Sequence, residues 1–229
     1  MFGKDITERK KVEEELRKSL SEKEALLREL YHRTKNNMSL INAMLGIEAG
    51  YIDDSRLREA FEETQNRIRS MALVHEKLYD ARDLSHVNMN EYIVSLMSVM
   101  MSEYGISPER VRFAPTMDDV FVLIDTAIPC GLILNELISN SLKYAFPSGR
   151  SGRIGVDLHR APDGRIDLAV SDDGVGPPPG FDIKRDGRVG LQTVLVLAEK
   201  QLDAQVDFDT RQGFSCRMQF LDDQYEPRV

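Results

Sequence analysis

From Glu22 to about Ala49 apolar residues recur at helical spacing, with Leu26, Leu30, Met38, Ile41, Met44 and Leu45 tracing one face. Gly50 to Asp54 reads as a turn with Gly50 as the helix stop. A second helical pattern runs roughly from Ser55 to Asp80 and places Leu57, Phe61, Ile68, Met71, Val74 and Leu78 on one side. Two helices with so short a connection predict an antiparallel hairpin. One hairpin has a wide apolar face and no partner for it within itself. Two hairpins joined as a four-helix bundle would bury that face. Upstream, Val12, Leu16, Leu26 and Leu30 sit near heptad spacing, while Ser19 and Lys23 interrupt the seam. This segment reads as a short dimeric coiled coil or as a solvated helix. Ser21 and Glu24 match a capping box, which predicts one helix ending near Ser19 and another starting after Ser21.

The pattern changes after Asp80. Residues 81–87 are polar and irregular and read as a linker. Asn88 and Glu91 form a second capping box and open a helix to about Tyr104. Val111 to Phe113 and Val120 to Leu123 are short strand-like runs, and Asp125 can cap a helix reaching about Ala145. Ile154 to Leu158 and Ile166 to Val170 alternate around the turn Pro162-Asp163-Gly164, which predicts a β-hairpin. After a Gly/Pro-rich loop come a helix from about Gly190 to Gln201 and strands over Val206 to Phe208 and Ser215 to Phe220. The expected fold is α+β: a helical hairpin, dimeric as a four-helix bundle, then an α/β sandwich with a mixed sheet covered on one face. The expected division is 1–21 linker helix, 22–80 hairpin, 81–87 linker and 88–229 sandwich domain.

Composition narrows the function classes. The net charge of −8 argues against a general binder of nucleic acid or anionic membranes. Two cysteines in apolar contexts suggest neither a disulfide framework nor a metal site, so a reduced cytoplasmic compartment is expected. No apolar run is long enough to span a bilayer.

Candidate chemistry lies in three places. His32 is followed on one helix face by Asn36, four residues on, with Arg33 and Lys35 beside it to hold phosphate oxygens. A neutral imidazole is a competent nucleophile near pH 7 and could accept a phosphoryl group. Glu136 and Asn140 share a helix face and offer oxygen donors suited to Mg²⁺, with Lys143 one turn beyond in reach of phosphate. Asp172-Asp173-Gly174-Val175-Gly176 follows an alternating strand. Its glycines permit close approach to a ligand, and a carboxylate there can accept from an amine such as that of adenine. Gly187, Gly190 and Leu191 open the next helix, whose amides could meet phosphate. Pro177, Pro178, Pro179 and Gly180 have the composition of a lid.

The order Glu136…Asn140, Asp172…Gly176 and Gly190-Leu191 resembles the GHKL ATP-binding fold over about residues 88–221. The resemblance implies Asn140 on Mg²⁺, Asp172 on the adenine amine, Lys143 near phosphate and Glu136 as a positioner of metal-bound water or a base. The stretch from Leu26 to Asn37, with His32, Arg33 and Asn36, resembles the phosphoacceptor helix of histidine kinases with an H-R-x-x-N signature. In that class His32 is the phosphorylated residue. The related HWE kinases carry a His where this chain has Asn135 and a W-x-E element. With no Trp, the chain looks like the non-HWE branch. Arg33 occupies the position where common kinases place an acid. Phe2 to Arg9 resembles the closing strand and exit linker of a PAS sensor domain.

The resemblance implies a protein-histidine kinase that uses Mg–ATP, acts as a homodimer, takes input from an upstream sensor and passes phosphate to a response-regulator receiver domain. Asn36 is expected to position water when the partner is dephosphorylated. The competing readings are a GHKL ATPase or serine kinase acting on a partner, and a non-catalytic docking module.

Overall fold

The structure, a computed structural model, describes residues 2–80, 85–178, 180–181, 183–186 and 189–222, with the side chains of 2–8, 79–80, 184, 186 and 189 left out. Helices α1 (Phe2–Gly50) and α2 (Ser55–Asp80) form the hairpin. Asp54 caps α2, its Oδ1 accepting from Arg56 N at 2.8 Å and Leu57 N at 3.2 Å. Lys35 Nζ pairs with Glu76 at 2.8 Å, Gln65 Nε2 donates to the Asn42 carbonyl at 3.0 Å, and the Tyr31 and His75 rings lie 5.9 Å apart. These contacts set the register of the pair. Apart from Thr34, the α1 residues that lose exposure are Arg28, Tyr31, Lys35, Met38, Asn42, Leu45 and Ala49, and Tyr31, Lys35 and Asn42 among them contact α2. Their alternating spacing of three and four is the narrow seam of two nearly parallel helix axes.

Strand β1 (His86–Asn88) leads into α3 (Met89–Glu103), capped by the Asn88 side chain, which accepts from Asn90 N and Glu91 N. Strands β2 (Val111–Met117) and β3 (Phe121–Leu123) precede α4 (Ile124–Asn140). A π-helical turn, Ser141–Ala145, extends α4. Then come β4 (Gly152–Arg160), β5 (Ile166–Asp172), α5 (Ile183–Asp186), α6 (Val189–Gln201), β6 (Gln205–Asp209) and β7 (Phe214–Phe220). The main sheet has the order β2-β4-β5-β7-β6, with β2 parallel to β4 and the other pairs antiparallel. Pro115 lies on the edge strand β2, where its missing N–H costs the sheet least. On one face Ile154, Val156, Leu158, Leu168, Val170, Cys216 and Met218 are buried in a core shared with α3, α4 and α6. On the other face Asp167 accepts from Gln219 Nε2 at 3.1 Å and lies 3.6 Å from Arg217. This is the expected mixed sheet with one covered face. Val74 and Leu78 of α2 join the same core, so the hairpin and the sandwich share apolar packing.

Several local expectations change. α1 runs unbroken through Ser19 to Ser21, because neither Gly nor Pro interrupts the backbone there and a break would forfeit hydrogen bonds between successive turns. Phe2 to Arg9 is helical, and among the described residues no strand lies beside it. Of the expected linker, 81–84 lie outside the described residues, while His86 and Val87 belong to β1, which pairs with β3 through His86↔Leu123 and Val87↔Val122. Leu123, with no side-chain cap, takes the N-cap position of α4, and Asp125 sits inside the first turn, where its charge faces the positive end of the helix. The expected helix to Ala145 is α only to Asn140 and π beyond. No helix among the described residues is long and apolar enough to cross a membrane.

Candidate active site

The end of α4 is the foundation of the site. Asn135 and Glu136 are buried, and Asn140 and Lys143 are partly so. The π turn carries Ser141 and Lys143, and such widened turns recur at functional sites. Ser141 Oγ donates to Asp172 Oδ2 at 2.7 Å, and Gly174 N donates to Asp172 Oδ1 at 2.9 Å. The Asp172 carboxylate at the end of β5 is thus held by both oxygens, each with lone-pair capacity left for a further donor.

Close backbone approaches make the rest of the cluster compact. A Cβ on Gly174 would fall 2.4 Å from Ala145 Cβ, and Val175 N donates to the Ala145 carbonyl at 3.0 Å. Gly213, at φ +84°, brings its Cα against the Asp172 carbonyl so closely that a Cβ would lie 2.0 Å from it. Only glycine combines that torsion with that contact. Gly176 abuts Gly213, and a Cβ on Gly190, in the first turn of α6, would lie 2.4 Å from Glu136 Oε2. Leu191 packs on the core beside it. The structure therefore brings Glu136, Asp172, Gly174, Gly176, Gly190 and Leu191 together, with Asn140 at the end of the same helix α4 and Lys143 on the π turn that extends it. Of the lid and helix-start residues, Pro179 and Gly187 lie outside those described.

His32 and Asn36 are not in that cluster. Both are exposed on α1, with Asn36 Nδ2 3.4 Å from His32 Nδ1. Arg33 Nε donates to Glu29 Oε1 at 2.6 Å, one turn before. Tyr31 marks this level of the hairpin at His75 of α2, whereas the cluster meets α2 at Arg67, about 12 Å along the helix axis.

That second meeting is with residues that sequence reasoning did not single out. Arg67 Nε donates to Glu136 Oε1 at 2.5 Å, and the bond raises the guanidinium pKa further. Lys143 Nζ donates to Glu63 Oε1 at 2.9 Å and lies 3.6 Å from Glu59. Burial works to lower the Lys143 pKa, and the Glu63 hydrogen bond with nearby negative groups more than offsets it, so the net direction is up. Between the two ion pairs and the core, Ser70 Oγ bonds Tyr92 Oη at 2.7 Å and donates to the Gly131 carbonyl at 3.0 Å. Ser141 had one legible signal: a helix-interior serine directly after Asn140 is a poor choice for helix stability. Arg67, Glu59 and Glu63 had none, since a charged stripe usually faces water.

The donors fit the implied ligands. An amide oxygen and a carboxylate on one helix face suit a hard cation that keeps several waters. An anchored carboxylate with spare lone pairs suits an exocyclic amine.

A family model described as histidine kinase matches residues 29–104, and one described as histidine kinase-, DNA gyrase B- and HSP90-like ATPase matches 126–224. The sensor histidine kinase PdtaS of Mycobacterium tuberculosis (strain CDC 1551 / Oshkosh) is 32% identical over 203 residues, covering 87% of this chain and 39% of that protein. Blue-light-activated histidine kinase 2 of Erythrobacter litoralis is 24% identical over 177 residues, covering 76% of this chain and 50% of that one. The chain thus spans half or less of the length of these relatives. The histidine kinase domain of the Erythrobacter litoralis EL346 blue-light activated kinase shares the fold, with a TM-score of 0.65 at 22% identity over 86% of this chain and 91% of that one. With residues 29–104 matched by one family model, residues 126–224 by the other, and a sensor histidine kinase 32% identical over 87% of this chain, the chain belongs to the histidine kinase family and carries a GHKL-type ATP-binding fold.

Proposed function

We propose that the chain is the kinase core of a two-component sensor, moving the γ-phosphoryl group of Mg–ATP to His32 and then to an aspartate on a response-regulator receiver domain. One observation carries this reading: a single chain pairs an exposed histidine, 3.4 Å from an amide one turn away, with a compact site built around a doubly anchored carboxylate.

In this reading residues 22–80 form the dimerisation and phosphoacceptor domain, and residues 88–229 bind the nucleotide. Asp172 accepts from the adenine amine, held in place by Ser141 and Gly174. Asn140 offers its amide oxygen to Mg²⁺, and Glu136 orients metal-bound water or takes a proton. Lys143 and the first turn of α6 meet the phosphates. ATP supplies the phosphoryl group. His32 attacks in line with whichever ring nitrogen carries no proton. If the Asn36 amide turns to present its oxygen to Nδ1–H, Nε2 is the ring nitrogen that carries no proton, the tautomer a nucleophile needs. Asn36 also positions water when a partner is dephosphorylated. Because His32 and the nucleotide cluster lie at different levels of the hairpin, transfer requires the two to move together or a second copy to supply one of them. The hairpin pairs with a second copy, and input from an upstream sensor domain enters along α1.

The test is incubation with γ-labelled ATP and Mg²⁺, using the parent chain and His32→Ala. Label that is acid-labile, base-stable and absent from the variant is the expected result. Label retained in His32→Ala would exclude His32 as the acceptor.

A further inference from the structure

Two of the residues assigned to nucleotide handling are already engaged by the hairpin. Glu59, Glu63 and Arg67 follow one another at four-residue intervals, so they form a single stripe on α2. Glu136 and Lys143 are seven residues apart and face that stripe from α4 and the π turn. The signs match along its length: Arg67 meets the Glu136 carboxylate, while Glu63 and Glu59 meet the Lys143 ammonium.

We propose that this stripe is a clasp that holds the nucleotide site in an unavailable state, and that nucleotide must displace it to bind. The proposal rests on the ATP-site reading above. Its physical basis is competition for the same two groups. While Lys143 is bound by two carboxylates, it cannot neutralise phosphate without giving them up. While Glu136 Oε1 holds Arg67, with Oε2 close beside Gly190 in the first turn of α6, the carboxylate is not free to orient metal-bound water or take a proton.

The two halves of α2 do different work. Ser70, Val74 and Leu78 are buried, and Ser70 is hydrogen-bonded to Tyr92 and Gly131, so this half is anchored in the shared core. The half from Glu59 to Arg67 is held to α4 by charge. Glu59 and Glu63 side chains remain 43% and 35% exposed, so water and salt can reach their pairs. Arg67 Nη2 is buried with no hydrogen-bond partner among the described residues, an unsatisfied donor that weakens the closed arrangement. A contact of this kind is suited to release: it is specific in sign, limited in strength and adjacent to an anchored pivot. Since α2 is half of the phosphoacceptor hairpin, opening the clasp also frees the ATP-binding unit to change its position against α1 and His32.

The experiment uses Glu59→Gln with Glu63→Gln. Both side chains are partly exposed and both replacements keep their shape, so the fold is retained. Fluorescent ATP-analogue binding with Mg²⁺ is measured on the parent and the double variant. In parallel, spin labels on Leu57→Cys and Tyr144→Cys, both exposed, report the separation of α2 from the π turn; Cys130 and Cys216 are buried and do not take label. The double variant is expected to bind about tenfold more tightly, as when a closed state holding roughly nine-tenths of the molecules is removed. The label separation should grow on adding nucleotide to the parent and be large from the start in the variant. Equal affinities with an unchanged separation would overturn the clasp and leave the ATP site standing. Absence of nucleotide binding in both proteins would overturn the ATP-site reading and the clasp with it.

Discussion

Asp172 illustrates how much of the site depends on single contacts. Its carboxylate is buried, and two donors hold it: Ser141 Oγ at 2.7 Å and Gly174 N at 2.9 Å. Removing the hydroxyl leaves the carboxylate oriented from one side only. Ser141→Ala is therefore expected to weaken nucleotide binding about tenfold, in keeping with a hydrogen bond to a charged group. Asp172→Asn should weaken it more, because an amide presents a donor where the ligand amine needs an acceptor. Titration calorimetry compares the three proteins; unchanged affinity in Ser141→Ala would show that Asp172 needs no such support. Gly174 is constrained in another way. A Cβ there meets Ala145 Cβ, Cα and carbonyl oxygen at 2.4, 2.7 and 2.5 Å, and backbone cannot step aside as a side chain can. Gly174→Ala should cost about 1–3 kcal/mol of stability through overpacking. Urea unfolding at constant slope measures it, and a midpoint equal to that of the parent would refute the clash.

At the scale of elements, the hydropathy pattern located both hairpin helices, the capped start of α3, the β4–β5 turn and the alternating strands. Each of these depends on residues near in sequence. Asn88 caps with its own side chain, and Gly164 supplies the positive φ of the turn at +87°. What stayed hidden depends on residues far apart. β1 has three residues and exists through pairing with β3, so no periodicity could announce it. The stripe Glu59–Glu63–Arg67 is indistinguishable in sequence from a solvated helix face, and only the fold brings α4 to it. The site was legible wherever glycine and carboxylate spacing carried it, and illegible where α2 enters it. His75, on the anchored half of α2, gives this element a pH dependence. Burial pushes its pKa below the ordinary 6.5, and its Nδ1 has no hydrogen-bond partner among the described residues. The unfolded chain thus binds the proton more readily than the folded one. Stability is complete above pH 6.5 and falls as pH drops through that value toward the lower folded pKa. His75→Phe keeps a ring against Tyr31 and cannot ionise, so its stability should fall less between pH 7 and pH 5. Parallel slopes for the two proteins would exclude His75 as the source.

At the scale of the whole molecule, α1 presents more apolar surface than α2 can cover. The seam that loses exposure runs through Tyr31, Met38, Leu45 and Ala49. A second set, Leu26, Leu30, Ile41 and Met44, lies outside that seam and is 70%, 57%, 50% and 55% exposed. Scattered exposed leucines need no explanation, but these four, with Leu27, Leu40 and Ile47, lie along one helix for six turns. Pairing with the same surface of a second copy is the simplest arrangement that buries them, because a two-fold interface matches like with like. Parent protein is accordingly expected to sediment as a dimer at micromolar concentration. Leu30→Glu with Ile41→Glu should shift it to monomer, since each subunit would bring two carboxylates into an apolar interface without partners. Neither residue touches the nucleotide cluster, so affinity for the ATP analogue should not change. A parent chain that sediments as a monomer at every concentration would exclude this interface. The apolar stripe of α1 would then have to be covered by something other than a second copy of this surface. A dimer that survives both substitutions would instead place the interface elsewhere on the hairpin.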